Sequence, residues 1–374
     1  MESVADATIA RLFTVGFHGT EPTRELEELL KRGVGGVILF ARNVEAPAQV
    51  LELTRSIKRL AGRPVFVAVD QEGGRVRRLR AGFTDVPALR SLGRARDPKL
   101  ALQMGQLLGR ELRAVGIDVN FAPVVDVDTN VDNPVIGDRA LSSDPRLVAE
   151  LAEALVRGLQ SEGVAACAKH FPGHGDTELD SHQTLPRLVH GLERLEQVEL
   201  VPFERVVAAG VASIMTAHVV LEALDREYPA TLSDVVLGRL LRQGLGFDGV
   251  VFSDDLEMGA IAGRFAPGVA AVRALNAGVD GLLVCHSAEI AHRMLDAVAG
   301  AVADGTLERE RLTEAGRRIE ALSGRFAAPP RVSSDLSVLA CAEHRALADR
   351  VRGFASDEPG RAVDPTVYTR RGEA

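Results

Sequence analysis

The chain has 374 residues, of which 46% are hydrophobic, and its formal net charge at pH 7 is -8. An excess of acidic residues argues against a nucleic-acid binder that relies on a global basic field. Three widely spaced cysteines do not make a disulfide framework, and no apolar stretch reaches the roughly 18 to 20 residues of a membrane span. The N-terminus does not have the pattern of a signal peptide, so we expect a cytoplasmic monomer without nucleic-acid or membrane partners.

Short apolar runs recur along the chain and predict buried β-strands. They span residues 12–16, 36–40, 65–69, 119–125, 164–168, 212–215, 249–252 and 281–284. Segments with helical spacing lie between them, at residues 23–31, 47–60, 98–115, 145–162, 192–209, 232–241, 268–277 and 289–303. Continuous apolarity is typical of parallel strands that are covered on their outer face. Eight strand and helix units therefore predict a closed (β/α)8 barrel of the TIM type, an α/β fold with a single catalytic domain.

The pattern weakens towards the C-terminus. We assign residues 1–330 to the barrel and residues 331–374 to a C-terminal helix and a polar tail. The helix is predicted over residues 338–351, and the composition from about residue 353 onward is typical of a mobile end.

Polar residues follow each apolar run. They are His18, Arg42, Asp70 with Glu72, Asp126, Lys169 with His170, His218, Asp254 with Asp255, and His286. In barrels of this type the active site lies at the C-terminal ends of the strands. The repetition around the ring therefore predicts that these side chains share one mouth.

The most polar stretch, AKHFPGHGDTELDSHQTLP at residues 168–186, follows the fifth predicted strand. Its Pro and Gly residues disfavour a helix, so we expect a long polar loop that leaves the end of that strand. Three interpretations remain open for it: a solvated surface loop, a metal site, or an acid/base dyad formed by Asp180 and His182. The spacing matches no metal motif such as H-E-x-x-H, and we predict no metal and no cofactor.

The pattern K-H-F-P-G-H-G-D-T-x-x-D-S-H-x-x-x-P within this stretch resembles the central signature of the family 3 glycoside hydrolases. The similarity is to their β-N-acetylglucosaminidase branch, which serves peptidoglycan recycling. It implies a metal-independent, retaining enzyme that removes terminal GlcNAc through a covalent glycosyl-enzyme. The chain has no room for the second α/β domain of larger members, which supports the single-barrel branch.

The resemblance also implies catalytic roles. Asp254 in FSDDLEM matches the nucleophile, and its neighbour Asp255 is the alternative. His182 matches the residue that protonates the leaving group, and Asp180 orients it. A histidine that has given up its proton is neutral, so phosphate as well as water could resolve the intermediate.

The residues that match the sugar-binding positions of the family lie at several strand ends. They are Asp70, Arg78, Arg139, Lys169 and His170, with His218 at the pocket floor. For the arginines, an ion pair with Asp126, Asp138 or Glu72 is the structural alternative. His174 and Asp176 are expected to brace the loop, and His18 and His286 to be core or rim residues. The family's aromatic residue after the recognition arginine is missing here, and the chain has no Trp.

The expected substrate is a GlcNAc-containing carbohydrate, either a peptidoglycan fragment such as a GlcNAc-1,6-anhydromuramyl peptide or a chitooligosaccharide. A β-GlcNAc phosphorylase and a family 3 β-glucosidase are the nearest alternatives. A metal-dependent barrel hydrolase is more distant, because the first strand ends on one histidine where that class has His-x-His. A sugar-binding barrel without catalysis is the alternative that is not an enzyme.

Overall fold

A computed structural model of the chain describes residues 4–178, 181, 185–327 and 335–355. In this part of the chain, eight parallel strands close into a barrel, and their order around the ring is their order in the sequence. The strands are β1 (Phe13–Val15), β2 (Gly36–Leu39), β3 (Phe66–Val69), β4 (Val119–Asn120), β5 (Ala165–Phe171), β6 (Ser213–Thr216), β7 (Val250–Asp255) and β8 (Gly281–Val284). Each overlaps a predicted strand, so the predicted (β/α)8 fold is confirmed.

Helices surround the barrel. They are α1 (Val4–Ala10), α2 (Arg24–Arg32), α3 (Pro47–Ala61), α4 (Leu89–Ala95), α5 (Pro98–Ala114), α6 (Pro145–Ser161), α7 (Leu192–Gln197), α8 (Leu200–Ala208), α9 (Gly259–Ala262), α10 (Pro267–Ala277), α11 (Ala288–Asp304), α12 (Arg309–Phe326) and α13 (Ala342–Arg352). A π-helix covers Val235–Gly244, and 3-10 turns cover Ala41–Asn43, Gly137–Arg139, Ala230–Leu232 and Leu336–Val338. None of the helices in the described ranges is long and apolar enough to cross a membrane.

Two small sheets lie outside the barrel. Gln71–Gly73 pairs in antiparallel fashion with Val76–Arg77, directly after β3. Arg187–Leu188 pairs in parallel with Val220–Leu221, after β6. Both sheets lie in segments that follow barrel strands, so they belong to the end of the barrel where the active site is expected.

The structure corrects three boundaries. β5 continues through Phe171, so Lys169 and His170 belong to the strand and not to the predicted loop. The helix predicted over 192–209 is divided into α7 and α8, since Pro202 has no N–H to continue an upstream helix and is tolerated only in a first turn. The helix predicted over 232–241 is the π-helix, which begins and ends three residues later.

Aromatic rings fill the interior of the barrel. Phe252 on β7 contacts Phe66 on β3 edge to face at 5.9 Å, and it contacts Phe121 at 5.4 Å. Phe66 lies opposite Gly36 on β2, and Phe252 lies opposite Gly281 on β8. A Cβ atom at either glycine would approach the facing ring to 2.2 or 2.4 Å, so only glycine leaves room for these rings.

Two buried aspartates lock the opposite, N-terminal end of the barrel. Asp118 precedes β4 and accepts a hydrogen bond from the Val67 N–H of β3 at 2.9 Å, while it also pairs with Lys58. Asp280 precedes β8 and accepts from the Val251 N–H of β7 at 3.0 Å. Each carboxylate thus joins two neighbouring strands and a basic side chain of the outer helical layer.

Three arginines converge on Asp280. They are Arg242 of the π-helix and Arg311 and Arg318 of α12. A cavity of about 350 Å³ opens beside them, and these same arginines line it. Their guanidinium groups also donate to the carbonyls of Phe247 and Val279 and to Asp248. The cluster therefore holds helices to the sheet.

The C-terminal segment packs on the barrel. Helix α13 overlaps the predicted helix over 338–351 and contacts α4 and α5. The predicted tail falls largely on residues 356–374, which lie outside the described residues, as do residues 328–334 between α12 and this segment. The proposed division at residue 330 stays a prediction.

Replacing Asp280 by Asn should lower the free energy of unfolding by about 3 kcal/mol, because three arginines would lose their buried counter-charge. Asp296→Asn is the matched control, since Asp296 pairs with Arg32 at the surface and its side chain is 71% exposed. That control should cost less than about 1 kcal/mol. Urea unfolding of the wild type and both variants measures the difference, and equal losses would contradict the assigned role of Asp280.

Candidate active site

The first group of polar side chains at the barrel mouth is a buried charge cluster. Lys169 on β5 places its Nζ 2.8 Å from Asp70 Oδ1 and 2.7 Å from Glu72 Oε1. Arg139 donates to both oxygens of Glu72, at 2.9 and 2.8 Å, and Arg78 lies 3.6 Å from Asp70. The cluster brings together four of the predicted sugar-binding residues, and all of them are almost inaccessible to solvent.

The charges of the cluster stabilise one another. Burial favours the neutral acid at Glu72, but Arg139 and Lys169 outweigh it and hold the pKa of Glu72 well below its usual range. Burial likewise disfavours the ammonium of Lys169, and the carboxylates of Asp70 and Glu72 raise its pKa above the ordinary value. Glu72 and Lys169 are therefore both charged at neutral pH.

The position of Arg139 bears on whether this arginine binds a sugar or forms a structural ion pair. Its bidentate pair with Glu72 is one of the ion pairs considered from the sequence. Arg75 makes the corresponding pair with Asp138 at 3.0 Å. A contact between Arg139 and a sugar stays a prediction, because the Glu72 pair occupies at least two of the five N–H donors of the guanidinium.

A second group is built around Asp126. Its Oδ2 lies 2.7 Å from His170 Nδ1, and its Oδ1 accepts the backbone N–H groups of His170 and His174 at 3.2 and 2.7 Å. Burial raises the pKa of Asp126, but contacts with His170 and His174 more than offset that effect and lower it. An ionised Asp126 fixes the orientation of the His170 ring. Without this partner, a side chain at the end of a strand would not be held in one orientation.

His174 anchors the loop that follows β5. Its Nδ1 lies 2.7 Å from Thr177 Oγ1, and its Nε2 lies 2.9 Å from Ser181 Oγ. Burial and the neighbouring His170 lower the pKa of His174 to about 4, so the ring is neutral at physiological pH. Asp176 accepts a hydrogen bond from Thr129 Oγ1 at 2.9 Å and pairs with His190. These contacts agree with the bracing role expected of His174 and Asp176.

The predicted acid/base residues Asp180 and His182 lie outside the described residues. Ser181, the residue between them, is described and buried. Its carbonyl accepts the N–H of Ala260 at 3.2 Å, and Ala260 belongs to α9, just after the end of β7. The loop is thus tied at this residue to the segment that follows Asp254.

The two aspartates at the end of β7 have different surroundings. Asp255 is buried, and its Oδ1 accepts the N–H groups of Glu257 at 3.1 Å and Cys285 at 3.2 Å. Asp254 is partly exposed, and its Oδ1 accepts the N–H of Asp255 at 2.8 Å. Asp255 therefore organises the turn after β7 and its contact with β8, while Asp254 is the more accessible carboxylate.

The thiol of Cys285 is a buried group at the end of β8. Its pKa lies well above the ordinary value, first because the thiol is buried and then because several carboxylates surround it. Asp70, at the end of β3, and Asp254, on β7, are among them. Asp70, Asp254 and Cys285 all lie at the C-terminal ends of parallel barrel strands, which places them at the same end of the barrel.

Three further histidines were singled out from the sequence. His218 is buried, with its Nδ1 2.7 Å from Thr231 Oγ1 and its Nε2 3.0 Å from the carbonyl oxygen of Asp255. It thus contacts the backbone at the end of β7, and its place at the floor of a sugar pocket stays a prediction. His286 and His18 are exposed, so they are rim residues and not core residues. The described residues contain no group of three His, Cys, Asp or Glu side chains that could hold a metal ion.

Phe40 at the end of β2 is a mouth residue that the sequence analysis did not identify. Its ring lies 5.8 Å from the His286 ring, and the Arg78 guanidinium lies 5.6 Å from its centroid. Arg42 covers it at 4.4 Å and donates to the carbonyls of Phe17 and Cys285. The sequence signal for Phe40 was an aromatic residue at the end of a predicted strand. It was missed because Phe40 also belongs to an apolar run, which made it look like a core residue.

Known proteins resemble this chain over most of its length. The model of the glycosyl hydrolase family 3 N-terminal domain matches residues 4–322. A curated beta-hexosaminidase of Nitrosomonas eutropha is 47% identical over 268 residues, which cover 70% of this chain and 76% of that protein.

Two solved structures have the same fold. A family 3 beta-N-acetylglucosaminidase from a Paenibacillus species has a TM-score of 0.90 at 42% identity, covering 94% of this chain and 69% of that one. NagZ from Neisseria gonorrhoeae, in complex with N-trifluoroacetyl-D-glucosamine, has a TM-score of 0.78 at 35% identity, covering 92% of this chain and 98% of that one. The fold of the Paenibacillus protein thus extends over nearly the whole of this chain.

His174 should make the stability of the protein depend on pH. Its folded pKa of about 4 lies below the ordinary 6.5, so the unfolded state takes up a proton first as the pH falls. The stabilisation is complete above pH 6.5 and is lost towards pH 4. The difference in unfolding free energy between wild type and His174→Gln should therefore decrease by about 3 kcal/mol between pH 7 and pH 4.

Urea unfolding at several pH values measures this difference. His18→Gln is the matched control, because it removes an exposed histidine at the end of β1. Its pH dependence should follow that of the wild type. If the His174→Gln variant also ran parallel to the wild type, the buried, neutral state of His174 would be wrong.

Proposed function

This chain belongs to glycosyl hydrolase family 3, and we propose that it is a retaining, exo-acting β-N-acetylglucosaminidase. Its enzyme class is that of its curated relatives, which are beta-hexosaminidases. The proposed substrates carry a terminal β-linked GlcNAc. They are peptidoglycan fragments such as GlcNAc-1,6-anhydromuramyl peptides, or chitooligosaccharides.

One observation carries the proposal. The partly exposed carboxylate of Asp254 and the buried ion-pair cluster of Asp70, Lys169 and Arg78 both lie at the C-terminal end of the barrel. A fixed set of charged donors and acceptors suits the hydroxyl groups of one sugar ring, and a carboxylate beside it suits attack on the anomeric carbon.

Asp254 is the proposed nucleophile. Retention requires a carboxylate that attacks the anomeric carbon and forms a glycosyl-enzyme, which water then resolves. The surroundings of the two aspartates support Asp254 over Asp255, since the Asp255 carboxylate already accepts two backbone N–H groups and lies 3.4 Å from His286 Nε2. These contacts hold the buried Asp255 carboxylate in the turn after β7, whereas the Asp254 carboxylate is the more accessible of the two.

His182 is the proposed acid/base, and Asp180 its orienting partner. His182 protonates the leaving oxygen in the first step and accepts a proton from water in the second. The anchoring of Ser181 supports this assignment. His174 holds its hydroxyl, and the N–H of Ala260 holds its carbonyl, so the chain between the two residues is fixed to the segment after Asp254.

The sugar contacts are proposed for Asp70, Arg78, Lys169, His170 and Arg139. Asp70 and Lys169 are suited to sugar hydroxyls, since charge-assisted hydrogen bonds are short and strong. Asp126 would keep His170 in one orientation while its other ring nitrogen is used. The complex of the Neisseria protein with an N-acylglucosamine supports recognition of the same ring class here.

The proposed setting follows from these assignments. One chain supplies all the residues assigned to the reaction, so a monomer suffices. We propose that it acts in the cytoplasm on soluble wall fragments.

Hydrolysis of p-nitrophenyl β-GlcNAc, compared with the β-glucoside and without added metal, tests the activity and the nucleophile. The wild type should release nitrophenol from the GlcNAc substrate and not from the glucoside. Asp254→Asn should lower kcat by at least about 10³-fold, because the covalent step loses its negatively charged nucleophile. A mechanism-based fluorinated β-GlcNAc should label the wild-type peptide that contains Asp254.

Asp255→Asn is the control, since it has nearly the same size and lies one residue away. It should lower the free energy of unfolding, because Asp255 organises the turn after β7. Its kcat should fall much less than that of Asp254→Asn. Full activity of Asp254→Asn together with loss in Asp255→Asn would reverse the assignment. Hydrolysis of the glucoside at an equal rate would favour the β-glucosidase alternative, and no hydrolysis of either substrate would sink the proposed activity.

The product formed in phosphate buffer distinguishes hydrolase from phosphorylase. After His182 has transferred its proton it is neutral and does not repel a phosphate anion, so phosphate is a possible competitor of water in the second step. We expect free GlcNAc as the main product in both phosphate buffer and phosphate-free buffer, measured by mass spectrometry. GlcNAc-1-phosphate as the main product in phosphate would instead assign the enzyme to the phosphorylases.

A further inference from the structure

The C-terminal segment of residues 335–355 crosses the outer side of the barrel beside the loop that follows β3. Helix α13 turns one face inward and buries His344, Ala348 and Val351. Their spacing of four and three residues places them on one helical stripe. That stripe packs on α4 and α5, which directly follow the β3 loop in the chain.

Glu111 on α5 joins three parts of the chain. Its carboxylate is buried and accepts hydrogen bonds from the Thr84 N–H at 2.9 Å and the Thr84 hydroxyl at 2.5 Å. The same carboxylate accepts the N–H of Ala340 at 2.8 Å and lies 2.9 Å from His344 Nδ1. Burial raises the pKa of Glu111, but these hydrogen bonds outweigh it and keep the pKa below its ordinary value.

A second link runs through Asp85. Arg352, in the last turn of α13, donates to the carbonyl of Asp85 and lies 3.1 Å from its Oδ2. Asp85 also pairs with Arg77, whose Nε donates to the Gly74 carbonyl at 2.8 Å. The C-terminal helix is therefore linked to two consecutive residues of the loop, to Thr84 through the Glu111 carboxylate of α5 and to Asp85 directly through Arg352.

The loop held in this way carries Asp70, Glu72 and Arg78. Its parts are joined internally, since the Gly74 N–H donates to the Val86 carbonyl at 2.9 Å. The Gln71 side chain accepts the N–H groups of Arg78 and Leu79 at 3.0 and 3.1 Å. A displacement at Thr84 to Val86 is thus passed to the hairpin that presents Glu72 and Arg78 to the mouth.

We propose that the C-terminal segment is a clamp that positions the sugar-binding loop after β3, with Glu111, His344 and Arg352 as positioning residues. This inference rests on the proposed function, because it assigns the clamp to the binding of the terminal sugar. The clamp residues lie outside the mouth and act through Thr84 and Asp85, so they affect how well Arg78 and Glu72 are placed and not the chemical step.

The test uses the full chain with His344→Leu and Arg352→Ala. KM for p-nitrophenyl β-GlcNAc should rise on the order of tenfold in His344→Leu and less in Arg352→Ala, while kcat changes little, since displaced binding groups weaken binding. Hydrogen exchange of a peptide that covers residues 76–87 should become faster in both variants. His344→Asn keeps a donor near the position of Nδ1 and should restore most of the wild-type KM.

Arg350→Ala is the matched control, because Arg350 is on the same helix and pairs with Asp97 at the start of α5 and not with the loop. It should leave KM and loop exchange unchanged. The clamp is overturned if His344→Leu and Arg352→Ala leave both quantities unchanged, or if Arg350→Ala changes them equally. If the wild type did not hydrolyse the substrate, the proposed function would fail, and loop exchange alone would still decide the clamp.

Discussion

The mutual neutralisation of Lys169, Asp70, Glu72 and Arg139 is the interaction on which the mouth of this barrel depends. Any one of these charges, buried alone, would cost several kcal/mol or more, so each is tolerable only because the others are in place. The requirement fixes β3, β5 and the loop before α6 relative to one another. The pairing also orders these side chains before the proposed sugar binds, which reduces the ordering cost of binding.

The two ends of the barrel use the same kind of interaction for different purposes. At the N-terminal end, Asp118 and Asp280 each join two strands and a basic side chain from the outer layer, which serves stability. At the C-terminal end, the ion pairs lie at the strand ends, as does the partly exposed Asp254. The loop after β5 joins this end through the neutral His174 and through Ser181. The C-terminal helix supports it from outside through Glu111.

The amino-acid sequence alone determined the barrel and the set of candidate residues. Eight apolar runs indicated eight strands, because strands that are covered on both faces have no polar alternation. The polar residues after those runs indicated one mouth, since parallel strands all end at the same edge. The motif around His170 and His174 identified the family, which the curated relatives confirm. The roles of Asp180, His182 and Asp254 stay predictions.

Only the tertiary structure decided how those residues pair. Lys169 and His170 look like loop residues in the sequence because they are polar, yet they extend β5, where carboxylates from β3 and β4 compensate them. The difference between Asp254 and Asp255 depends in part on the backbone N–H of Cys285, which lies 30 residues away in the chain. Phe40 and Glu111 could not be recognised either, because their partners lie on other elements. Periodicity reports the local environment of a residue, whereas burial and pairing are set by contacts between distant segments.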